Sequence, residues 1–532
     1  MSNAASTTAQ KGFLGWIERV GNKLPDPVFL FLYLILALVA VSVLCVLAGI
    51  SASHPTQLAA DGSPVVIKAA SLLSPENLQR LLGDMPKTFT AFHPLGYVLV
   101  VMLGAGVAER SGLFGTAIRA AVRGAPKFLL TPVVATVAMI SNHAADAGYV
   151  VLIPLAGVLY ASVGRHPLAG IAAAFAGVSG GFSANLSPGQ LDALLFGITE
   201  SAVAGSGIAS GWRVNIAGNT YFIIALLFIY LPVIWWVTDR IIEPRLGRWT
   251  PDAAQAATYA DEDKPLTGNQ RKGLVRAGLA ALAVVVVWTL MTVGPGTPLL
   301  DDGPGSAGKR WFELANPLFK SLVAGFMILF LTTGWAYGAA AGTIKNHRDL
   351  VGMMAEAMKD MGYYLVLAFG AAHFVEMFNW SNLGLISAVH GANTIKASGL
   401  PLTLVLGLIV LFTGFLNLFI GSASAKWALL APVLVPMLML LGISPEGATA
   451  AYRVGDGATN IITPLMVYFP LILIFARRWQ PDFGLGSLTA MMLPYSIWLL
   501  ISGVVLVMAW IFLGMDLGPG APVRFELPGV AP

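Results

Sequence analysis

Gly96-Tyr97-Val98-Leu99-Val100-Val101-Met102-Leu103-Gly104-Ala105 returns in the second half of the chain as Gly362-Tyr363-Tyr364-Leu365-Val366-Leu367-Ala368-Phe369-Gly370-Ala371. Each copy leads into hydrophobic sequence broken by small polar residues. In the first half the breaks are Ser141-Asn142-His143 and Ser183-Ala184-Asn185-Leu186-Ser187-Pro188. In the second they are Ser422-Ala423-Ser424 and Ala458-Thr459-Asn460-Ile461-Ile462-Thr463-Pro464. Four landmarks in the same order favour an internal repeat over chance likeness between Gly/Ala/Leu-rich helices. Repeated halves with matching interruptions mark a secondary transporter whose site lies where the breaks meet.

Composition fixes the solvent. With 56% hydrophobic and 11% charged residues and a mean hydropathy of +0.75, the chain cannot clothe itself for water. Pro27 to Ile50, Asn219 to Val237 and Leu488 to Leu513 carry almost no charge, and about 20 such residues span a hydrocarbon core of roughly 30 Å. The reading is an all-α, polytopic membrane protein. Its net charge of +4 sets topology from short loops and implies no nucleic acid. The first 25 residues are polar, with Lys11, Arg19 and Lys23, so no cleaved signal peptide is expected. Cys45, the one cysteine, reads as a small packed side chain, with no disulfide, thiolate metal site or cofactor.

Lys and Arg gather at the amino terminus, at Arg110-Arg119-Arg123-Lys127, around Arg240 to Arg276, at Lys345-Arg348-Lys359 and at Arg477-Arg478. Placing these in the cytoplasm gives about nine transmembrane helices and two re-entrant hairpins opening on opposite faces. The expected organisation is a cytoplasmic segment 1–26, a first repeat 27–240 with hairpin 128–162, a cytoplasmic linker 241–273, a second repeat 274–513 with hairpin 401–443, and a C-terminal tail 514–532. Broken crossings fall at 166–203 and 447–475. The two Gly-Tyr segments then run in opposite directions, so the repeats are inverted.

Non-helical backbone at membrane depth leaves N–H and C=O groups unpaired unless it is buried in protein or lines a wet cavity. Pro188 and Pro464 stand where a half-helix restarts, and half-helix amino termini suit an anion while unwound carbonyls suit a cation. Ser141, Asn142, Asn185, Ser422, Ser424 and Asn460 occupy the symmetric breaks, where a sodium ion is one candidate occupant. Asp146, Asp192, Arg453 and Asp456 are ionisable groups within or beside these segments, each costing at least about 2.5 kcal/mol at this depth unless paired or hydrated. Arg453 and Asp456, three apart, have helical pairing distance. The functional alternative has Arg453 meeting a substrate carboxylate and Asp456 or Asp192 exchanging a proton or facing a cation. Trp427, with Asn417 and Ser424, would add an aromatic platform and polar contacts.

Glu18-Arg19-Val20-Gly21-Asn22-Lys23-Leu24-Pro25, Ser141-Asn142-His143-Ala144-Ala145-Asp146-Ala147-Gly148-Tyr149, Ser422-Ala423-Ser424-Ala425-Lys426-Trp427 and Tyr452-Arg453-Val454-Gly455-Asp456-Gly457 resemble the p-aminobenzoyl-glutamate transporter (AbgT) family over nearly the whole chain. The resemblance implies a dimeric, multi-pass protein of the bacterial inner membrane, with nine crossings, two opposed hairpins and kinship to elevator-type, ion-coupled transporters. It implies transport of p-aminobenzoyl-glutamate, a folate breakdown product, or export of p-aminobenzoic acid analogues such as sulfonamides, coupled to protons or sodium. By motif, the family's functional positions fall on Asp192, Asn417, Ser424, Trp427, Arg453, Asp456 and Pro464, and through a looser match on Pro445.

A ring-and-carboxylate substrate suits a receptor with an aromatic partner, one cationic side chain and two helix amino termini. An enzyme is disfavoured: no His-Glu-x-x-His motif occurs, and Lys426 beside Ser424 reads as a snorkelling or paired cation. A channel needs no paired breaks. A sodium-coupled dicarboxylate or other organic-anion carrier of similar architecture is the nearest alternative.

Overall fold

The structure, a computed structural model, describes residues 27–58, 63–123, 126–144, 148–209, 212, 214–250, 265–294, 296–301, 314–463, 465–466 and 468–527. Asp146, Pro464, the amino-terminal segment 1–26 and the centre of the linker at 251–264 lie outside these residues.

Helix α1 (Pro27–Leu47) carries no charge in its first or last turn and exposes Phe29, Leu32, Leu36, Leu44 and Leu47, the surface of a helix meant for hydrocarbon. An antiparallel pair follows, β1 (Ser51–Leu58) and β2 (Pro64–Lys68), an element the all-α reading did not contain. The first half continues with α2 (His93–Arg110), α3 (Leu113–Arg123), α4 (Leu130–Ile140), α5 (Ile153–Ser162), α6 (Pro167–Phe175), α7 (Gln190–Ser206) and α8 (Thr220–Val237). The second half holds α9 (Gly268–Leu290), α10 (Asn316–Ala341), α11 (His347–Asp360), α12 (Gly362–Trp380), α13 (Leu383–Ser398), α14 (Leu402–Asn417), α15 (Ala423–Leu440), α16 (Pro445–Asn460), α17 (Phe469–Arg477) and α18 (Leu485–Leu513). Among the described residues six helices are long and apolar enough to cross a membrane, or eight if each bent pair is one span. The chain is a multi-pass membrane protein.

The two Gly-Tyr helices end in the same local device. The helix from Leu95 to Arg110 bends by 65° into α3 at Ser111–Gly112, and α12 passes into α13 at Ser381–Asn382. Ser111 Oγ donates to Ala108 O (3.0 Å) and accepts from Leu113 N (3.4 Å); Ser381 Oγ donates to Phe378 O (2.8 Å) and accepts from Leu383 N (3.3 Å). The following residue turns left-handed, Gly112 at φ +88° and Asn382 at φ +60°, and Asn is the side chain that tolerates this region best.

Both predicted hairpins are spread by a half-helix. α6, with its π-helical continuation Ala176–Gly180, lies against α4 and α5, and α16 lies against α14 and α15. All 16 residues of α16 are buried, so every polar group on it must find a partner inside the protein. A smaller core of Val101, Ala105, Ala108, Leu113, Ala277, Phe330 and Tyr337 joins α2, α9 and α10.

Two expected boundaries move. The α8 helix runs on to Leu246 through a π turn, because Asp239 and Glu243 both pair with Arg165 and Thr238 Oγ1 donates to Ile234 O (2.7 Å). The second half begins at Gly268 rather than 274, where Thr267 and Gln270 form a reciprocal N-terminal cap. The segment read as a C-terminal tail packs back onto the protein. Ser444 N donates to Val523 O (3.0 Å), Phe525 N to Gly442 O (2.9 Å) and Tyr221 N to Leu517 O (2.9 Å), with Leu517, Ala521, Val523 and Phe525 buried.

Candidate functional site

The breaks meet. A Cβ on Gly457 would stand 3.0 Å from Gly180 O, so glycine eases the close approach of the α16 backbone to the end of the π turn after α6. In the first break the helix stops at Gly180 and α7 restarts at Gln190, with Asp192 Oδ2 accepting from Gly189 N (2.8 Å). Pro188 therefore lies just ahead of the restart rather than in its first turn. In the second break α16 ends at Asn460 and α17 starts at Phe469.

α16 presents a different polar set to each neighbour. Toward α14 and α15 lies Asp456, ion-paired with Lys426, both side chains 0% exposed. Lys426 Nζ also donates to Asn417 Oδ1 (2.5 Å) and Ile420 O (3.4 Å), which uses its three protons. The Asn417 amide faces three acceptors, Asp456 O (2.8 Å), Thr459 Oγ1 (2.9 Å) and Asn460 Oδ1 (2.7 Å). Asp456 Oδ2 has no partner among the described residues.

Toward α7 lies Arg453, whose Nη1 is 2.9 Å from Asp192 Oδ1, with 2% and 7% exposure. The helical Arg453–Asp456 pair that the spacing allows is not formed, and two pairs across helices take its place, since a wholly buried helix can satisfy charges at different angles only through different neighbours. Trp427, fully buried, stacks on Tyr452 at 4.5 Å between ring centroids and donates from Nε1 to Thr199 Oγ1 (2.9 Å), itself 3.1 Å from Thr449 Oγ1. Substituting Thr199→Val removes that acceptor while keeping shape. Leaving the indole N–H buried and unpaired should cost about 1–3 kcal/mol, seen as a lower thermal unfolding midpoint in detergent; an unchanged midpoint would mean the indole has another acceptor.

Other predicted residues serve the backbone. Ser141 Oγ donates to Ala138 O (2.7 Å) and Asn142 Nδ2 to Met139 O (2.9 Å), closing the end of α4. Ser422 caps α15, accepting from Ala425 N (3.3 Å), and lies 3.2 Å from Ser424 Oγ. Ser424 thus pairs with Ser422 while Lys426 is held by Asp456, so the two form no Ser/Lys dyad. Pro445 occupies the first turn of α16, behind the Ser444 cap. Among the described residues, Asn185 Oδ1 and Ser183 Oγ are buried without a protein partner at the first break. Sequence reasoning did not single out Tyr452, Thr199, Thr449, Thr459 or Glu446 and gave Lys426 no site role. The signal for Lys426 and Glu446 was the one used for Asp456, a charge inside apolar sequence.

Two cavities at the site are small in this conformation. The cavity beside Arg453 and that beside Ser424 each measure about 10 Å³, room for a water but far below the roughly 300 Å³ of a small-molecule pocket.

The family model described as the AbgT putative transporter family matches residues 12–525. The chain is 36% identical over 527 residues to the p-aminobenzoyl-glutamate transport protein of Escherichia coli (strain K12), covering 99% of this chain and 100% of that protein. Two solved structures resemble it at 41% identity: the Alcanivorax borkumensis YdaH transporter, described as having an unusual topology (TM-score 0.83, 93% of this chain and 100% of that one), and Neisseria gonorrhoeae MtrF, described as illuminating a class of antimetabolite efflux pumps (TM-score 0.87, 96% and 100%).

Proposed function

The chain belongs to the AbgT putative transporter family, and from that premise we propose that it moves p-aminobenzoyl-glutamate or related p-aminobenzoic acid derivatives, sulfonamides among them, across the bacterial inner membrane, driven by a proton or sodium gradient. It is a transporter and not an enzyme. The observation that carries the substrate class is the junction of α7, α15 and α16. There a buried guanidinium (Arg453) and a stacked Trp427–Tyr452 pair stand beside two broken helices. A carboxylate exchanging with Asp192 on Arg453, and an aryl ring against Trp427, match the two ends of such a substrate.

Because the cavities beside Arg453 and Ser424 hold only a water, loading requires α15 and α16 to part from α7. In this reading the two halves are inverted repeats, the hairpins and half-helices move as an elevator-like unit, and the protein works as a homodimer. The paired serine devices after α2 and α12 support the repeat. The E. coli relative, a p-aminobenzoyl-glutamate transport protein, and the efflux description of MtrF support the substrate class.

The test is uptake of labelled p-aminobenzoyl-glutamate into proteoliposomes under separately imposed proton and sodium gradients. Saturable, gradient-driven uptake is expected for the native chain and should be lost in Arg453→Ala and Asp456→Ala, with the effective gradient naming the ion. A folded protein that takes up no p-aminobenzoyl-glutamate but does take up a dicarboxylate under a sodium gradient would replace this reading with the dicarboxylate carrier.

A further inference from the structure

Beyond the Asp192–Arg453 pair, the same small cavity reaches a third charged residue, Glu446, in the first turn of α16. Glu446 is 2% exposed and its Oε2 has no hydrogen-bond partner among the described residues. Two further buried atoms are orphaned on residues lining this cavity: Asn219 Oδ1, an acceptor, and Arg453 Nε, a donor. Asn219 is 8% exposed and Arg453 2%. Three unpaired polar groups on the lining of one cavity are costly unless something joins them.

We propose that Glu446, Asn219 and Arg453 build a buried proton site, at which a proton and one ordered water bind next to the Asp192–Arg453 pair. The orphans have opposite polarity, and that is what makes the site two-state. When Glu446 takes a proton from the aqueous phase, its carboxylate becomes a neutral acid whose O–H finds an acceptor in Asn219 Oδ1. When it returns the proton, the carboxylate is linked to the single Nε–H of Arg453 through the water in the cavity, and Arg453 is then shared between Asp192 and Glu446. That water accepts from Arg453 Nε and donates to the Glu446 carboxylate and Asn219 Oδ1 in the deprotonated state. Protonation of Glu446 therefore sets how firmly Arg453 is held away from an incoming carboxylate.

The surroundings are built to keep this group dry. The charged groups lining the cavity with Glu446 are Asp192 from α7 and Arg453 from α16, while the Trp212 indole and the Asn215 backbone lie against its carboxyl group. Residues 214–219 and 517–521 contribute none. The wall on that side is pinned by Asn215 Nδ2 donating to Pro519 O (2.7 Å) and Asn215 Oδ1 accepting from Ala217 N (2.9 Å). Gly218 leaves room for the side chain: a Cβ there would lie 2.7 Å from Glu446 Cγ.

The role in transport rests on the ion-coupled reading; the binding of a proton does not. The test pairs infrared difference spectroscopy of the purified protein, stepped between high and low pH, with uptake of labelled p-aminobenzoyl-glutamate under a proton gradient. A protonated-carboxyl band that titrates in the native chain should vanish in Glu446→Gln, and proton-driven uptake should be lost with it. Should Glu446→Gln fail to give monodisperse protein, Gly218→Ala is read by the same band, which must shift as the new methyl presses on Glu446. Persistence of the native band in Glu446→Gln, or an unshifted band in Gly218→Ala, overturns the proposal. A band lost in Glu446→Gln while the native chain transports no p-aminobenzoyl-glutamate supports the proton site and refutes the substrate reading instead.

Discussion

Replacing Lys426 by methionine should destabilise the protein by about 3–5 kcal/mol, since it strands Asp456 as a charge with no counterion in a region closed to water. The Lys426 ammonium and Asp456 are both 0% exposed, so neither salt nor solvent can stand in for the lost partner. Methionine keeps the length and much of the volume of lysine, which confines the change to the charge and its three donated hydrogen bonds. The double substitution Lys426→Met with Asp456→Leu removes both ions and should recover most of the stability, because a buried pair is stabilising mainly relative to its own halves. Transport should stay lost in both variants. Unfolding midpoints in detergent, with uptake measured in parallel, separate the two effects. If the single variant unfolds like the native chain, the pair is not intact in the membrane; if the double variant transports, Asp456 has no part in coupling.

That pair also shows what the sequence could and could not reveal. Charges inside apolar segments stand out by composition, and Asp192, Arg453 and Asp456 were found that way. Which charge meets which depends on the faces of α16, and helical spacing sees only neighbours on the same helix. Asp192 and Thr199 lie in α7, in the other half of the chain, and no local pattern points from Trp427 or Arg453 to them. The long spans and the breaks were legible because burial in lipid constrains whole segments. The β1–β2 pair was not, since Ser51–Leu58 contains Pro55 and no clean alternation of polar and apolar residues. Residues 517–525 read as a tail because their order comes from bonds to Tyr221, Gly442 and Ser444, none of which a composition window can see. The hairpin-tip serines also serve helix ends, which their place in the sequence does not reveal. Ser141 and Ser422 have short hydroxyls that a nearby helix end captures first.

Gly455→Ala should be the most damaging single-methyl change in the site. A Cβ at this position would stand 2.2 Å from both Thr413 Oγ1 and Val410 O and 2.8 Å from Gly414 N, so two of the three collisions are with backbone that cannot rotate away. α14 and α16 touch here through their main chains, as small residues permit inside a membrane bundle. Asn417 spans the same contact one turn farther on, donating to Asp456 O (2.8 Å) and Thr459 Oγ1 (2.9 Å). Adding a methyl must push α16 off α14, stretch those bonds and move Lys426 relative to Asp456. Overpacking of this kind costs about 1–3 kcal/mol, occasionally more, and the displaced charges add to it. Gly278→Ala is the matched control: it lies within α9 with nothing within 4 Å of the new atom, and relief of glycine's helix penalty should leave it neutral or stabilised by about 1 kcal/mol. Unfolding midpoints and uptake should therefore fall together in Gly455→Ala and in neither case for Gly278→Ala. If Gly455→Ala behaves like the control, the close approach of α14 and α16 does not hold the site, and the charge pairs alone must set its geometry.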